Sequence, residues 1–448
     1  MRLPEFFWNT TIPEIITSSS IPIRNRAGFE TIAVILPSFF YSLIIVVLET
    51  YISLKTSSKF VLELATIVLP ITLGMTLLSE YSNLMIGVLS IFSALLLGVS
   101  YKKRTSTKKS ESFHTSFITN SRSTINILSV IAILAVDFDI FPSRFTKMDT
   151  LGYSLMDTGV GLYVFANGIV SPESRGVKNP ISKSIKGSLP LFLIGSARFV
   201  LTKLFHYHVP EGEYGVHWNF FITLAVTKLF TSFLLNVFSI RNIYVNATML
   251  TLAHQILLVC GLQEFVFEDF KRDNFVKANK EGLVSSIGFI SLYLYSVHFG
   301  YVLDLKNKNQ KFSSVFKKFV IAILLFLTLS VAFQQTFGIS RRVANAAYVF
   351  WILFIGIFMT GLFYILQTIQ IAIFGPTRVV LVSYIFEAVN HNGLVFFLIA
   401  NVLTGVINMS MNTRKVDTIP ALLIVMGYMT VNCLVVAVLY SRGFKLKL

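Results

Sequence analysis

The chain has 448 residues, of which 54% are hydrophobic and only 13% charged, with 42 Phe and a mean hydropathy of +0.70. A soluble domain carries about 25% charged residues, so this composition excludes a water-soluble enzyme and describes a chain that dissolves in lipid. The formal net charge of +16 does not indicate a nucleic-acid partner, because the basic residues lie in short loops between apolar runs, where they report membrane topology.

The N-terminal MRLPEFFWNTTIPEIITSSS lacks the uninterrupted apolar region and small-residue cleavage site of a removable signal peptide. Thereafter thirteen runs can each supply the roughly 20 mostly apolar residues that cross ~30 Å of hydrocarbon. They centre on residues 31–53, 60–78, 83–100, 124–141, 151–171, 188–206, 217–238, 245–262, 282–303, 316–337, 343–372, 391–412 and 418–440. Each is expected to be helical, since an open sheet leaves backbone groups unpaired in lipid. The expected fold is an all-α polytopic membrane protein, one transmembrane domain over residues 1–448 with a basic cytosolic loop at 101–123. Cys260 and Cys433 both fall in apolar runs and form no disulfide framework or zinc spacing. His206 and His208 stand near Glu211 and Glu213 without a convincing metal-ligand spacing, so no metal site is expected.

The loops after odd-numbered spans, together with the C-terminal tail, hold 22 of the 38 basic residues, among them Lys102, Lys103, Arg104, Lys108, Lys109 and Lys306. The positive-inside rule then places the C-terminus in the cytosol and the N-terminus in a lumen or outside the cell. Asn9-Thr10-Thr11 falls on the glycosylation-competent side. The Arg144–Asp149 loop, HYHVPEGEYG, residues 263–281, Ser340-Arg341-Arg342 and Thr413–Asp417 share that non-cytosolic face.

Two acids interrupt the apolar runs on either side of a basic loop: Asp137 in the fourth and Asp157 in the fifth. A carboxylate in hydrocarbon costs ~2.5–3.5 kcal/mol, which makes each a candidate functional group or a partner for a cation on a neighbouring helix. Asp137 and Asp139 are two apart on a helix, on opposed faces, so at most one points inward. Pro142 is expected to end the span near Phe141, after which the chain can turn and bring Lys147 back towards Asp137. Ser154, Gly159 and Gly161 permit close helix packing. Asn219, Asn345 and Asn408 lie within a few turns of the same face, although any one alone reads as an ordinary helix end. His217, opening HWNFF, reads either as a base or as an interfacial anchor. These residues alone do not separate an enzyme from a transporter.

The stretch AVDFDIFPSRFTKMDTLGYSLMDTGVGLYVFANGIVS resembles the signature region of the inositol acyltransferases of glycosylphosphatidylinositol (GPI) anchor synthesis, the fungal GPI-anchored wall transfer proteins. EYGVHWNFF, KANKEGLVSSIGF, SRRVANAAY and NGLVFFLIANVLTGVINMSMNT follow in the family's order, and WNTTIPEI is similar to its opening segment. The resemblance implies a multi-pass enzyme of the endoplasmic reticulum membrane. It would move a fatty acyl group, palmitoyl by expectation, from acyl-CoA to the inositol 2-hydroxyl of glucosaminyl-phosphatidylinositol. Acyl-CoA is then a co-substrate, and no cofactor is expected. The family's catalytic Asp and Lys fall on Asp137 and Lys147. Arg144, Asp157, His217, Asn219, Asn279, Glu281, Arg341, Arg342, Asn345 and Asn408 become expected substrate-binding positions, and Asn401 is another family-typical polar residue. Asp139 stands where the family has Pro, Asp149 replaces a Glu, and Asn412 replaces an acid seen in some members.

The implied chemistry needs a base for a secondary alcohol and a group that stabilises a thioester oxyanion. Asp137 is expected to fill the first role and Lys147 the second, while Arg144, Arg341 or Arg342 would hold phosphate through guanidinium forks. The alternatives are a secondary transporter with an intramembrane acid–base site, or a membrane O-acyltransferase of another family that uses His217.

Overall fold

The structure is a computed structural model and describes residues 26–52, 54–102, 115–204, 211–238, 242–269, 271–307, 310–374 and 382–445. Asn9, His206, His208, most of the 101–123 loop and some of the basic residues used for topology lie outside the described residues. Every regular element within them is helical. α1 (Arg26–Tyr51) is followed by α2 (Thr56–Glu63) and α3 (Leu69–Met75), which a π turn at Leu64–Val68 joins into one pass. Then come α4 (Ser82–Lys102), α5 (Ser116–Ala135), α6 (Leu155–Gly168), α7 (Ile181–Leu204) and α8 (Phe220–Val237). α9 (Ile243–Leu257) continues through a π turn into α10 (Gln263–Phe267), and the short α11 (Phe275–Ala278) leads into α12 (Lys280–Leu303). α13 (Phe312–Phe337), α14 (Ala346–Phe374), α15 (Tyr384–His391), α16 (Gly393–Ser410) and α17 (Thr418–Ser441) complete the bundle.

Among the described residues twelve helices are long and apolar enough to span a bilayer. The remaining expected run, 151–171, forms only the 14-residue α6, about 21 Å long at 1.5 Å per residue. A capping box sets its start: the Ser154 hydroxyl accepts from the Asp157 N–H, and the Asp157 side chain accepts from the Ser154 N–H. α6 packs on α5, α12 and α14, so protein rather than lipid surrounds most of it and its length need not match the bilayer.

The windows of α5, α12 and α14 are 78%, 78% and 83% buried, whereas those of α4 and α7 are 11% buried; the first three form the interior and the last two face lipid. This explains the largest difference from the expected boundaries. α5 begins at Ser116 rather than at 124, because its polar first half is satisfied by neighbours. Ser121 bonds Thr360 at 3.0 Å, Arg122 donates to Asn390 at 2.8 Å, and Ser123 donates to the Phe386 carbonyl at 2.6 Å. The helix also ends at Ala135 instead of near Phe141, and 136–141 run as turns held by the Phe138 N–H to Ala135 carbonyl and Phe141 N–H to Phe138 carbonyl bonds. Asp137 therefore stands in an irregular turn just past a helix, where its side chain is freed from helical periodicity.

α15 precedes α16 with a break at Asn392, and its first turn is capped from afar: the Glu63 carboxylate accepts the Tyr384 and Ile385 N–H groups at 2.7 and 2.6 Å. Of the small residues around Asp157, Gly161 admits a close helix, since a Cβ there would lie 2.7 Å from Ile352. Gly159 does not, its nearest neighbour being Ser129 at 3.9 Å, and Ser154 serves as the cap.

The tightest approach is Gly288 of α12, where an added Cβ would sit 2.0 Å from the Ala344 carbonyl oxygen. Ala344 has a left-handed φ of 45°, so the loop it ends is already constrained. Gly288→Ala should cost about 1–3 kcal/mol through overpacking, read as a lower melting temperature in detergent, and should displace the 338–345 loop.

Candidate active site

Where α5 stops and α6 starts, the bundle holds a cavity of about 1610 Å³. Its polar end carries Asp137, Lys147, Asp149, Arg341 and Arg342. Its long wall runs along α5 from Ile125 to Val136 just past its end, about 16 Å at 1.5 Å per residue, and α6, α7 and α16 contribute further lining residues. Leu201 of α7 and Val402, Val406 and Met409 of α16 line the cavity and are also 51%, 65%, 57% and 60% exposed. The cavity thus opens sideways through an apolar slit between α7 and α16.

Asp137 is half-buried and its carboxylate accepts from the Asn408 amide of α16 at 2.8 Å. Burial raises its carboxyl above the ordinary aspartate range, while the Asn408 N–H, then Arg414 and Lys147, pull it part of the way back. Asp139 points away from the interior and pairs with Arg414 at 3.2 Å with both side chains exposed.

Lys147 sits on a loop pinned at several points. Upstream, Arg144 is clamped by Glu30 at 3.0 Å and by Glu80, and lies over the Phe145 ring. Downstream, the Met148 N–H donates to the Asp157 carboxylate at 3.2–3.3 Å. The Gly152 N–H then donates to the Ile339 carbonyl at 2.8 Å, and the Ser340 hydroxyl to the Thr150 carbonyl at 2.6 Å. The Lys147 ammonium itself donates to Glu213 at 2.6 Å, and Glu213 also lines the cavity. Gly215 lets that acid reach inward: its φ is 113°, and a Cβ there would strike the Ala278 carbonyl at 2.6 Å.

Behind the loop lies a buried ion pair, with the Arg341 Nε 2.9 Å from Asp157 and side-chain exposures of 6% and 1%. Burial opposes the Arg341 charge, but Asp157 and Glu213 outweigh it and raise its pKa. A second cluster roofs the cavity: the fully buried Glu281 accepts from Arg272 at 2.8 Å and from Arg342 at 3.0 Å, and Arg272 also meets Glu211 at 3.2 Å.

The structure brings Asp137, Lys147, Arg341, Arg342 and Asn401 to the cavity wall, with Asn408 directly behind Asp137. The other expected substrate contacts, Asn408 aside, do not line it, and their polar atoms are engaged by protein partners. Arg144 is held by its two glutamates, and Asp157 by its cap and Arg341. Asn219 caps α8 and donates to the Gly195 carbonyl at 2.8 Å, and Asn345 bonds Ser340, Tyr348 and Gly338. Asn279 accepts the His217 N–H at 2.8 Å, leaving the His217 ring between Phe199 and Phe275 outside the cavity, as an anchor would sit. Glu281 acts on the cavity only through its two arginines. Sequence reasoning missed Glu213, Arg198, Arg272 and Arg414, all cavity-lining; for Glu213 the available signal was its place at the head of EYGVHWNFF.

Chemically, the arrangement offers a half-buried carboxylate and an ammonium lining one cavity, guanidinium groups suited to phosphate, and a long apolar limb. Residues 23–439 match the model of the GWT1 family. Over 404 residues the chain is 34% identical to an uncharacterized protein of Arabidopsis thaliana, covering 88% of this chain and 90% of that one. It is 34% identical over 342 residues to GPI-anchored wall transfer protein 1 of Schizosaccharomyces pombe, with 74% and 73% covered. To the glucosaminyl-phosphatidylinositol-acyltransferase PIGW of Mus musculus it is 30% identical over 450 residues, with 87% and 89% covered.

Removing one partner of the buried pair leaves a charge stranded in the protein. Asp157→Ala should cost about 3–5 kcal/mol and lower the detergent melting temperature, whereas Asp139→Ala, an exposed pair, should change it little.

Proposed function

The chain belongs to the GWT1 family, and on that premise we propose that it is a membrane acyltransferase acting on glucosaminyl-phosphatidylinositol in GPI-anchor biosynthesis, as the name of the mouse relative states for that protein. The acyl donor is acyl-CoA, the acceptor is the inositol 2-hydroxyl, and the site of action is the endoplasmic reticulum membrane. The observation that carries the reading is that Asp137 and Lys147 open into one cavity with an apolar limb.

The inositol oxygen attacks the thioester carbonyl carbon while the Asp137 carboxylate takes the hydroxyl proton. The Lys147 ammonium stabilises the oxyanion of the tetrahedral intermediate. The C–S bond then breaks, and the proton held on Asp137 passes to the departing thiolate, giving the acyl ester and free CoA. Asp137 suits the task because burial makes it a stronger base than an exposed aspartate, and Asn408 fixes its orientation and limits the shift. Arg341 and Arg342 supply guanidinium groups for the lipid phosphodiester or the CoA phosphates. The limb along α5 takes the acyl chain, and the slit between α7 and α16 admits the lipid from the bilayer. The positive-inside bias supports a lumenal active site with the C-terminus in the cytosol.

Purified protein given labelled palmitoyl-CoA and glucosaminyl-phosphatidylinositol should form the acylated lipid. A transporter would form none, and that outcome would refute the reading. Asp137→Ala should lower kcat about 100-fold or more while the protein stays folded in detergent. A pH series should show activity falling on the acid side as Asp137 gains a proton, above the ordinary aspartate value of about 3.9. Asn408→Ala removes a donor that favours the carboxylate, so that acid limb should move to higher pH.

A further inference from the structure

Lys147 and Asp137 share a cavity, yet the carboxylate bonded to the Lys147 ammonium is Glu213, at 2.6 Å, while Asp137 is bonded to Asn408. Two opposite charges in one partly desolvated cavity attract each other strongly. An ion pair between them would quench both, since a carboxylate bound to an ammonium is a weaker base and an ammonium bound to a carboxylate has fewer N–H bonds to offer an oxyanion. Some third group has to hold the two apart.

We infer that Glu213 is a positioning residue for acyl transfer: it draws the Lys147 ammonium to its own side of the cavity, leaving Asp137 free to accept a proton and Lys147 aimed at the space between them. The inference rests on the acyl-transfer reading above. Its first support is geometry. Lys147 is on a loop with 37% of its side chain exposed, and Glu213, at 22%, is its ion-pair partner among the described residues. Glu213 is placed firmly, because Gly215 makes the turn, the Val216 N–H donates to the Ala278 carbonyl at 2.8 Å, and the Gly282 N–H donates to the Tyr214 carbonyl at 2.9 Å. The second support is charge. Burial alone would raise the Glu213 carboxyl, but Lys147, then Arg341, with Arg198 on α7, bring it below the ordinary glutamate range. It is therefore an anion throughout the working pH range, as a fixed anchor must be. The groups that act on Asp137 are Asn408, Arg414 and Lys147, with the Tyr428 phenol also close enough to feel its charge, and Lys147 acts on Glu213 as well. Releasing it from Glu213 frees it for the other carboxylates that line the cavity, and Asp137 is the one among them on which Lys147 already acts.

The role predicts a signature that a merely structural residue would not produce. Glu213→Gln keeps the shape and removes the charge. It should lower kcat by about 10- to 100-fold with KM for palmitoyl-CoA within about twofold. The acid limb of the kcat–pH profile should move to lower pH, because Lys147 now pairs with Asp137 and favours its charged form. That direction is opposite to the one expected for Asn408→Ala. Glu213→Asp, which restores the charge one methylene short, should recover a substantial part of kcat and return the limb towards the wild-type position. Independently of turnover, and with Asp137 removed as an alternative partner, labelling of Lys147 by an amine-acylating reagent, followed by mass spectrometry at fixed pH, should rise several-fold in Glu213→Gln/Asp137→Asn over Asp137→Asn alone.

A Glu213→Gln enzyme with wild-type kcat and an unmoved acid limb would overturn the proposal. So would unchanged Lys147 labelling, since Glu213 would then not hold the ammonium. Absence of acyl transfer by the wild-type protein, together with increased Lys147 labelling in the double variant, would instead strike the acyl-transfer reading while upholding Glu213 as the lysine's anchor.

Discussion

The buried pair between Asp157 and Arg341 is the constraint on which the candidate site depends. A charge inside a helical bundle is tolerated only when another group neutralises it and the remaining lone pairs find donors. Asp157 meets that condition by collecting the Ser154 N–H and hydroxyl, the Met148 N–H and the Arg341 guanidinium. These donors come from three different stretches of backbone: the start of α6, the loop after α5, and the loop before α14. One carboxylate thereby fixes where a helix begins, where Lys147 leaves the chain and where the arginine pair enters the cavity. Gly288 and the left-handed Ala344 press the same 338–345 loop from its other side.

Around that fixed point the polar groups divide into those enclosed by protein partners and those left partly open to the cavity. Asp157, Glu281, Asn219, Asn279 and Asn345 are buried and occupied with backbone or ion-pair partners. Asp137 and Lys147 stay partly open, each with a single strong neighbour that orients it without closing it off. The cavity joins these two to an apolar limb, and acyl transfer to a lipid alcohol asks for that combination: a charged end for proton movement and a dry channel for a chain.

Hydropathy located the twelve spans among the described residues because a helix that crosses a bilayer is apolar over about 20 residues whether it faces lipid or other helices. It failed at α5, whose polar first half faces protein, so that Ser121, Arg122 and Ser123 find partners on α14 and α15 that no local reading could supply. It also overstated α6, since apolar composition does not distinguish a helix wrapped in helices from one crossing lipid. In the site, Asp137 stood out as an acid in an apolar run and Lys147 as a base in the adjoining loop. Asp157 stood out for the same reason and is paired with Arg341 and the start of α6; the cost of burying an acid does not reveal what neutralises it. Its partner is 184 residues away and that of Lys147 is 66 residues away, and such pairings become visible only once the chain is folded. The asparagines read as possible helix ends, Asn219 and Asn345, are helix caps.

The slit between α7 and α16 has a consequence of its own. Under the proposed function, a substrate that entered through the side of the bundle would arrive by diffusion within a sheet of lipid, so its working concentration would be a mole fraction of the membrane and not a molarity in water. Compounds that compete there would be ranked by partitioning as much as by fit, and an assay in detergent micelles would dilute substrate and competitor alike into the same apolar phase.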